Sequence, residues 1–226
     1  MRIFARLLFI LGCCVPIAVH AATQATVQAG ERILTVAIDG PRARIDVSGV
    51  QQGYLLLHDA RLYSVMRVGG QPVVMDAKAA AGMLGGLSFK PPARMIASLT
   101  ELKSTGAHQT VAGRKGEVYT VSYRDLEGHV RTEKGVLGEQ ADVRELTQAL
   151  LEIARLLQPS TQIPAKGVSQ VEQTLEDRKL GLLSLGSEFR VKSLTADALP
   201  EGYLDLPAAP KQLSDQLNQW MQRLSK

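Results

Sequence analysis

Residues 32–48 read RILTVAIDGPRARIDVS, and this stretch decides the fold class. Its first seven residues form a run rich in apolar and β-branched side chains, which the turn sequence Asp39-Gly40-Pro41 closes. Its last seven residues alternate polar and apolar side chains without a fault, the pattern of an antiparallel strand with one buried face. Two strands joined by a short turn predict a β-hairpin, so we expect an antiparallel sheet.

The same pattern recurs along the chain. Turn sequences Asp59-Ala60-Arg61 and Gly69-Gly70 separate further apolar runs, and Gly186-Ser187 lies between two late ones. Besides the hairpin, strands are predicted over residues 54–57, 62–68, 72–75, 99–103, 110–111, 117–123, 129–136, 182–185 and 188–194. Most of the chain is therefore expected to be β-structure.

The longest predicted helix begins at Asp142 and Glu145, whose spacing resembles a capping box, and ends before Pro159. Its apolar residues recur along one stripe, as in a helix that packs against a sheet. Ser169 and Glu172 indicate the start of another short helix.

Two more helices are predicted, one over residues 77–84 and an amphipathic one over about 210–224 that carries Trp220. No internal repeat or low-complexity linker divides the chain. The order of strands and helices predicts a single α+β domain over residues 22–226, a curved antiparallel sheet covered on one face by helices.

Residues 1–21 have the order of a secretory signal peptide: two arginines, an apolar segment and small residues up to Ala21. The apolar segment is shorter than the ~20 residues that a membrane-spanning helix needs, and no later segment approaches that length. We therefore expect a periplasmic protein, cleaved near Ala21, without an integral membrane span. The alternative is a lipoprotein anchored at Cys13, because Ile10-Leu11-Gly12-Cys13 resembles a lipobox.

Cleavage after Ala21 changes the charge and the cysteine content. It removes Cys13 and Cys14, so the exported chain can hold no disulfide and no thiolate metal site. It also removes Arg2 and Arg6, which lowers the formal net charge from +4 to +2. Because no run of Lys and Arg exceeds two residues, nucleic acid is not an expected partner.

Few residues point to catalysis. The exported chain keeps His58, His108 and His129. No further metal ligand at a matching spacing lies near the pair His58-Asp59, and His129 with Glu133 is interpreted as part of a solvent-facing row of a strand. The sequence contains no G-x-S-x-G elbow and no glycine-rich phosphate loop. We expect no enzyme activity, no catalytic residue, no metal and no cofactor. A hydrolase is an alternative that requires His58 or His129 beside a serine and a carboxylate.

Several short segments resemble one known family, the bacterial periplasmic proteins of the domain-of-unknown-function group DUF4412. The matching segments are GYLLLHD at 53–59, LYSV at 62–65, VVMD at 73–76, LKSTG at 102–106, VAG at 111–113, VY at 118–119, FRVKSL at 189–194 and LP at 206–207. These proteins are relatives of the lipoprotein-carrier (LolA-like) half-barrel fold. The resemblance covers residues 29–208 and rests on structural motifs.

The resemblance implies a curved antiparallel half-barrel sheet with helices packed on its concave face. In better-known members of that fold, the apolar interior holds acyl chains of lipoproteins or lipids. The chain departs from the group at Arg114-Lys115, where the group often has a cysteine or an aromatic residue. Arg42 and Arg44 are both candidates for the carrier's lid-closing arginine, so no binding residue of the family is assigned to a position in this chain.

We therefore predict a non-enzymatic exported binding module that holds a lipid or acyl chain, or the lipid of a lipoprotein. Alternation along the strands predicts an apolar lining made by Leu34, Val36, Leu55, Leu57, Tyr119 and Val121. The same residues could instead pack on the helices and leave no cavity. The alternative function is a periplasmic protein-interaction or envelope-assembly factor without a lipid ligand, which an exposed Trp220 would favour.

Overall fold

The structure, a computed structural model, describes residues 21–49, 53–77, 96–158 and 165–211. Within these residues it has eleven strands and two helices. The strands are β1 (Ala22–Ala29), β2 (Arg32–Asp39), β3 (Arg42–Val47), β4 (Gly53–His58), β5 (Arg61–Val68), β6 (Gln71–Asp76), β7 (Ile96–Val111), β8 (Arg114–Asp125), β9 (Val130–Gly138), β10 (Gly181–Leu185) and β11 (Phe189–Asp197). The helices are α1 (Ala141–Leu157) and α2 (Ala165–Asp177).

All eleven strands form one antiparallel sheet in the order β6-β5-β4-β3-β2-β1-β11-β10-β9-β8-β7. Strands β1 to β6 form one meander and β7 to β11 another, and the pairing of β1 with β11 joins them. Because β6 and β7 are the outer strands of the described sheet, it is open. The prediction of an antiparallel sheet with helices is confirmed at this level, although the sheet dominates the molecule.

The tight turns follow from the backbone that a two-residue hairpin needs. Asp59 and Ala60 between β4 and β5 have φ of 49° and 56°, and Gly69 and Gly70 between β5 and β6 have φ of 58° and 81°. Two successive residues with positive φ match the twist of antiparallel strands. Glycine adopts this conformation at no steric cost, whereas Asp59 and Ala60 are held in it by the paired strands.

Strand β1 was not predicted from the sequence. Its residues, ATQATVQA, are mostly small or polar, so they carry little intrinsic strand preference. Nevertheless β1 lies in the middle of the sheet, where Val27 pairs with Leu34 of β2 and Val191 of β11. Burial between two strands and beneath α1 compensates for the weak preference.

Helix α1 occupies the segment that the apolar stripe predicts, and Val143, Leu146 and Ile153 are buried. The predicted capping box is wrong, because the N-cap residue is Gln140 and it makes no side-chain capping bond. Asp142 instead accepts a hydrogen bond from its neighbour's backbone N–H and pairs with the Arg114 guanidinium, at 2.6 Å. The ion pair brings Arg114 against the start of the helix.

Helix α2 begins four residues before Ser169, so the predicted capping role of that serine is also wrong. The Ser169 hydroxyl donates back to the Ala165 carbonyl inside the helix, at 2.9 Å. Three residues of α2 are buried, namely Gly167, Val168 and Leu175. The helix is therefore packed over a narrow stripe.

The sheet is strongly curled at the β7 side. Strands β7 and β11 are four places apart, which in a flat sheet corresponds to about 19 Å. Some of their Cα atoms nevertheless lie within 8 Å of each other. Helix α2 packs against β7, and α1 packs against β10, β1, β2 and β5.

Strands β3 to β6 have apolar side chains on both faces. Residues that pair with one another share a face, so Leu57 and Leu62 lie on the face that α1 covers. Leu56 and Tyr63 lie on the opposite face, which Leu206 of the segment after β11 covers. This double burial explains the unbroken apolar run LLL at residues 55–57.

Several expectations lie outside the described residues. They are the signal peptide, the lipobox, residues 78–84 of the predicted short helix, and residues 212–224 of the terminal helix with Trp220. Within the described residues, no helix is both long enough and apolar enough to cross a membrane.

Candidate functional site

The candidate site is an apolar cavity of about 40 Å³ between α2 and the curled β7–β10 part of the sheet. Nine apolar side chains and the Thr174 side chain line it: Ile96, Leu99, Leu102, Val121, Leu137, Val171, Leu175, Leu182 and Leu185. Leu137 and Leu175 are buried, whereas Ile96, Leu99 and Leu102 of β7 are only partly buried. The cavity therefore lies close to the surface beside β7.

The six residues predicted to line an interior fall into two separate cores. Leu34, Val36, Leu55 and Leu57 lie in the core around α1, and Tyr119 and Val121 lie in the core beneath α2. Of these six, only Val121 lines the cavity. Alternation along a strand identifies its buried face but contains no information about where neighbouring elements leave a void.

Val121 apart, none of the residues that line the cavity was predicted from the sequence, and those of α2 are the ones for which the sequence held a signal. Val171 and Leu175 line the cavity from the helix side. With Val168, they recur at the i, i+3, i+7 spacing of a buried helical stripe, and this signal was present in the sequence. Polar residues between them make the stripe narrow.

Helix α2 also covers the outer edge of β7. The Gln170 side-chain oxygen accepts a hydrogen bond from the Leu99 backbone N–H at 3.1 Å, and Arg178, just after α2, donates to the Leu102 carbonyl at 2.9 Å. Both bonds satisfy backbone groups that an outer strand otherwise leaves to solvent. The helix approaches closely because Gly167 has no side chain: a Cβ atom there would lie 2.2 Å from the Ile96 carbonyl oxygen.

Polar side chains flank the cavity along β8. The Tyr119 hydroxyl donates to Glu117 at 2.9 Å, and the Ser104 hydroxyl donates to the other Glu117 oxygen. These bonds, first from Ser104 and then from Tyr119, lower the pKa of Glu117 below its ordinary value. Burial and the Glu117 contact raise the pKa of Tyr119. Both shifts stabilise a neutral tyrosine beside a charged carboxylate, so neither group is suited to act as a base at neutral pH.

Tyr123 is the most deeply buried polar aromatic residue of this strand, with 1% of its surface exposed. Its hydroxyl donates to Glu133 Oε1 at 3.2 Å. Burial first, and the Glu133 carboxylate second, raise the pKa of Tyr123 to about 12. The residue therefore contributes a neutral hydrogen-bond donor to the interior.

Asp125, Glu127 and His129 form the one cluster of potential metal ligands in the described residues, with their ligand atoms within 4.8 Å of one another. Asp125 is buried, and its Oδ1 accepts hydrogen bonds from the backbone N–H groups of Glu127 and His129 at 3.0 and 2.8 Å. Its Oδ2 accepts one from Arg131 at 2.8 Å. Burial alone would raise the pKa of Asp125, but the Arg131 and His129 bonds hold it below its ordinary value. The carboxylate thus organises the turn between β8 and β9.

Two of the histidines lie near carboxylates, as a hydrolase requires, but in the described residues neither is hydrogen-bonded to a serine. His58 Nδ1 lies 3.3 Å from the Leu204 carbonyl oxygen, and His129 Nδ1 lies 3.4 Å from Glu127. His108 is exposed on β7, opposite Glu117. Within the described part of the chain, no hydrogen bond joins a histidine to a serine, so the geometry offers no activated hydroxyl.

Comparison with known proteins returns no match: no family model, no curated protein and no solved structure matches the chain. The resemblance to the DUF4412 group therefore stays a prediction. The feature of the structure that points to a function is the apolar cavity beneath α2.

Proposed function

We propose that the chain is an exported, non-enzymatic binding module that holds an acyl chain between α2 and the β7–β10 part of the sheet. The observation that carries the proposal is the composition of the cavity, in which Thr174 is the one polar residue. Polar ligands need convergent hydrogen-bond partners, which such a lining lacks. A hydrocarbon chain needs only a dry apolar surface, and each buried methylene contributes ~0.8 kcal/mol.

The size of the cavity defines how binding has to occur. A volume of about 40 Å³ is close to the share of one water molecule in liquid water, about 30 Å³, whereas benzene fills an apolar cavity of about 150 Å³. Only the end of an acyl chain fits into the cavity as it stands. Binding therefore requires α2 to move away from β7.

The attachment of α2 favours such a movement. The helix is held on β7 by a narrow apolar stripe and the hydrogen bond of Gln170, with Arg178 just beyond its end. Elements with few buried contacts open at a low cost in free energy. The approach of β7 to β11 supports the proposal, because the half-barrel expected from the sequence is also a curled sheet.

The test is to purify the full chain from its own envelope without detergent and to examine it by native mass spectrometry. We expect a bound lipid, and we expect the emptied protein to bind a fluorescent fatty acid. Val171→Phe places a large side chain in the cavity, so it should weaken fatty-acid binding by about tenfold, because a filled cavity removes the ligand's contacts.

The matched control is Val118→Phe, because Val118 is also partly buried but belongs to the other core. It should leave fatty-acid binding within about twofold of the wild type. A protein that carries no lipid and binds no fatty acid contradicts the proposal. Equal losses in the two variants would also contradict it, since they would reflect general destabilisation.

A second candidate is a protein-interaction or envelope-assembly factor without a lipid ligand. The observation that favours it is the outer strand β7, whose residues 103–110 are all exposed. Exposed edges of outer strands are common docking surfaces for other chains, because their backbone N–H and C=O groups are free to pair. Co-purification of a protein at constant stoichiometry, with no lipid in the native mass spectrum, would support this candidate over the first.

A further inference from the structure

Two carboxylates lie on the same sheet face as the lining of the cavity. Glu133 of β9 is the register partner of Val121, and Glu117 of β8 is the register partner of Leu137. Val121 and Leu137 both line the cavity. Because cross-strand partners project from one face with Cβ atoms ~5 Å apart, the two carboxylates border the apolar lining.

One carboxylate oxygen of Glu133 is buried and has no hydrogen-bond partner in the described residues. This oxygen, Oε2, lies against Gly186, where an added Cβ atom would clash with it. The Gly186 N–H cannot pair with it, since it donates to the Lys134 carbonyl at 3.0 Å. Leu185, the residue before Gly186, lines the cavity. A buried acceptor without a donor is destabilising, so an unpaired acceptor beside a cavity indicates a place for the donor group of a ligand.

The hydroxyl groups around the cavity already donate inside the protein. Thr174, the polar residue of the lining, donates to a backbone carbonyl of its own helix at 2.6 Å. Tyr123 donates to Glu133 Oε1 at 3.2 Å, and Tyr119 donates to Glu117 at 2.9 Å. These protons are therefore not available to a ligand. The groups that remain at the border of the cavity accept hydrogen bonds.

The cationic side chains of this region bind elsewhere. Arg131 donates to Asp125 at 2.8 Å, and Arg178 donates to a backbone carbonyl of β7 at 2.9 Å. His108 is the register partner of Glu117, but it is exposed and forms no ion pair with it. Among the residues that the structure describes, the two carboxylates beside the cavity thus have no cationic partner.

We propose that the ligand of the cavity is an amphiphile with an alkyl chain and a cationic nitrogen head, such as a primary ammonium. This inference rests on the function proposed above and names the head group of its ligand. The chain occupies the apolar space beneath α2, and an N–H of the head donates to Glu133 Oε2. An ammonium has three donors and no acceptor, so it matches a border that offers acceptors. Glu117 adds to the negative potential that attracts the cation.

A carboxylate head does not suit this border. It has no proton to donate, and Glu133 repels it. A fatty acid therefore binds by its chain alone, with its carboxylate in solvent, whereas an alkylamine of the same length also gains the contact with Glu133. A lipid with an ethanolamine head presents the same ammonium beside a phosphate, and a free alkylamine presents it alone.

The experiment compares decylamine, decanol and decanoate, which have equal chain lengths, by isothermal titration calorimetry of the full chain at neutral pH. We expect decylamine to bind about tenfold more tightly than decanol, because hydrogen bonds to charged groups contribute more than neutral ones. Decanoate should bind more weakly than decanol. A lysophosphatidylethanolamine with a decanoyl chain distinguishes the sources of the ammonium. Binding as tight as that of decylamine supports a lipid head group, and weaker binding supports a free amine.

Glu133→Gln removes the charge but keeps the size of the side chain and an acceptor for Tyr123. It should weaken decylamine binding about tenfold and leave decanol binding within about twofold of the wild type. Glu101→Gln is the matched control, because it makes the same change of charge at an exposed position of β7. Glu101 pairs with Ser122, on the face opposite to that of Val121. This control should leave the three affinities unchanged.

The outcomes separate this inference from the proposed function. If decanol or decanoate binds the wild type as tightly as decylamine, or if Glu133→Gln leaves decylamine binding unchanged, the cationic head is refuted while the proposed function stands. If none of the three ligands binds, the proposed function fails and this inference with it. The comparison of ligands in the wild type needs no variant, so it decides the question even if Glu133→Gln does not fold.

Discussion

The Thr147 hydroxyl of α1 accepts a hydrogen bond from the Leu182 backbone N–H at 2.8 Å and donates one to the Val143 carbonyl at 2.8 Å. Leu182 is the residue at which the register of β9 and β10 shifts, so the regular ladder is interrupted there. One buried side chain thus connects the helix to an irregular point of the sheet.

Thr147→Val should lower the free energy of unfolding by about 1–3 kcal/mol, because it leaves the Leu182 N–H buried without an acceptor. Thr147→Ser is the matched control: it keeps the hydroxyl and should cost less than the valine variant. Chemical denaturation measures both. Equal losses would show that the methyl group, not the hydroxyl, stabilises this contact.

Gly167→Ala tests the close approach of α2 to β7. Alanine gains about 1 kcal/mol in helix propensity over glycine. Its Cβ, however, would lie 2.2 and 2.8 Å from the Ile96 and Ala97 carbonyl oxygens, and backbone cannot move aside as a flexible side chain can. We expect a net destabilisation of about 1–3 kcal/mol, the usual cost of overpacking.

Ser169→Ala, at an exposed position of the same helix, is the control for Gly167→Ala and should change stability little. Hydrogen exchange of the β7 amides provides a second readout, since a displaced α2 uncovers the Leu99 N–H. A stabilised Gly167→Ala protein would mean that α2 does not lie this close to β7.

Tyr123 makes stability depend on alkaline pH. The pKa in the folded protein is about 12, above the ordinary value of 10.0, so the unfolded chain loses the phenolic proton first. The contribution of Tyr123 to the free energy of unfolding is therefore complete below pH 10 and is lost as the pH rises to about 12. The difference in stability between wild type and Tyr123→Phe should decline over this range.

Ultraviolet absorbance of tyrosinate during an alkaline titration checks the assignment. The difference between the wild-type and Tyr123→Phe curves should have a midpoint near pH 12. A midpoint near pH 10 would show that the hydroxyl is exposed to solvent.

Asp125 makes stability depend on acid pH, with the opposite sign. Its pKa in the folded protein is below the ordinary value of 3.8, so its contribution is complete above that pH. The contribution disappears as the pH falls through the lower, folded-state pKa. Asp125→Asn should lower the melting temperature at neutral pH and flatten the acid part of the stability curve, because Arg131 loses its charged partner.

Glu127→Gln is the matched control for Asp125→Asn, since the Glu127 carboxylate is exposed in the same turn. Its melting temperature should follow that of the wild type at each pH. A similar acid dependence in wild type and Asp125→Asn would place the acid-sensitive group elsewhere.

The fold could be predicted from the sequence where one face of a strand is apolar and the other polar. The hairpin of β2 and β3 is the clearest case, since Ile45 and Val47 alternate with Arg44 and Asp46. The prediction from sequence failed where tertiary contacts determine the local structure. Residues 22–29 form β1 because β2 and β11 pair with them, and Asp142 pairs with Arg114 instead of capping α1.

The sequence by itself determined that the chain is rich in antiparallel strands, because a period of two in hydrophobicity is compatible with only one kind of backbone. Only the tertiary structure decided that Val121 lines a cavity while Val36 is packed solid, and that Arg44 stacks on a tyrosine more than a hundred residues away. The physical reason is that a strand pattern specifies which side chains are buried, whereas voids and long-range contacts depend on how separate elements pack together.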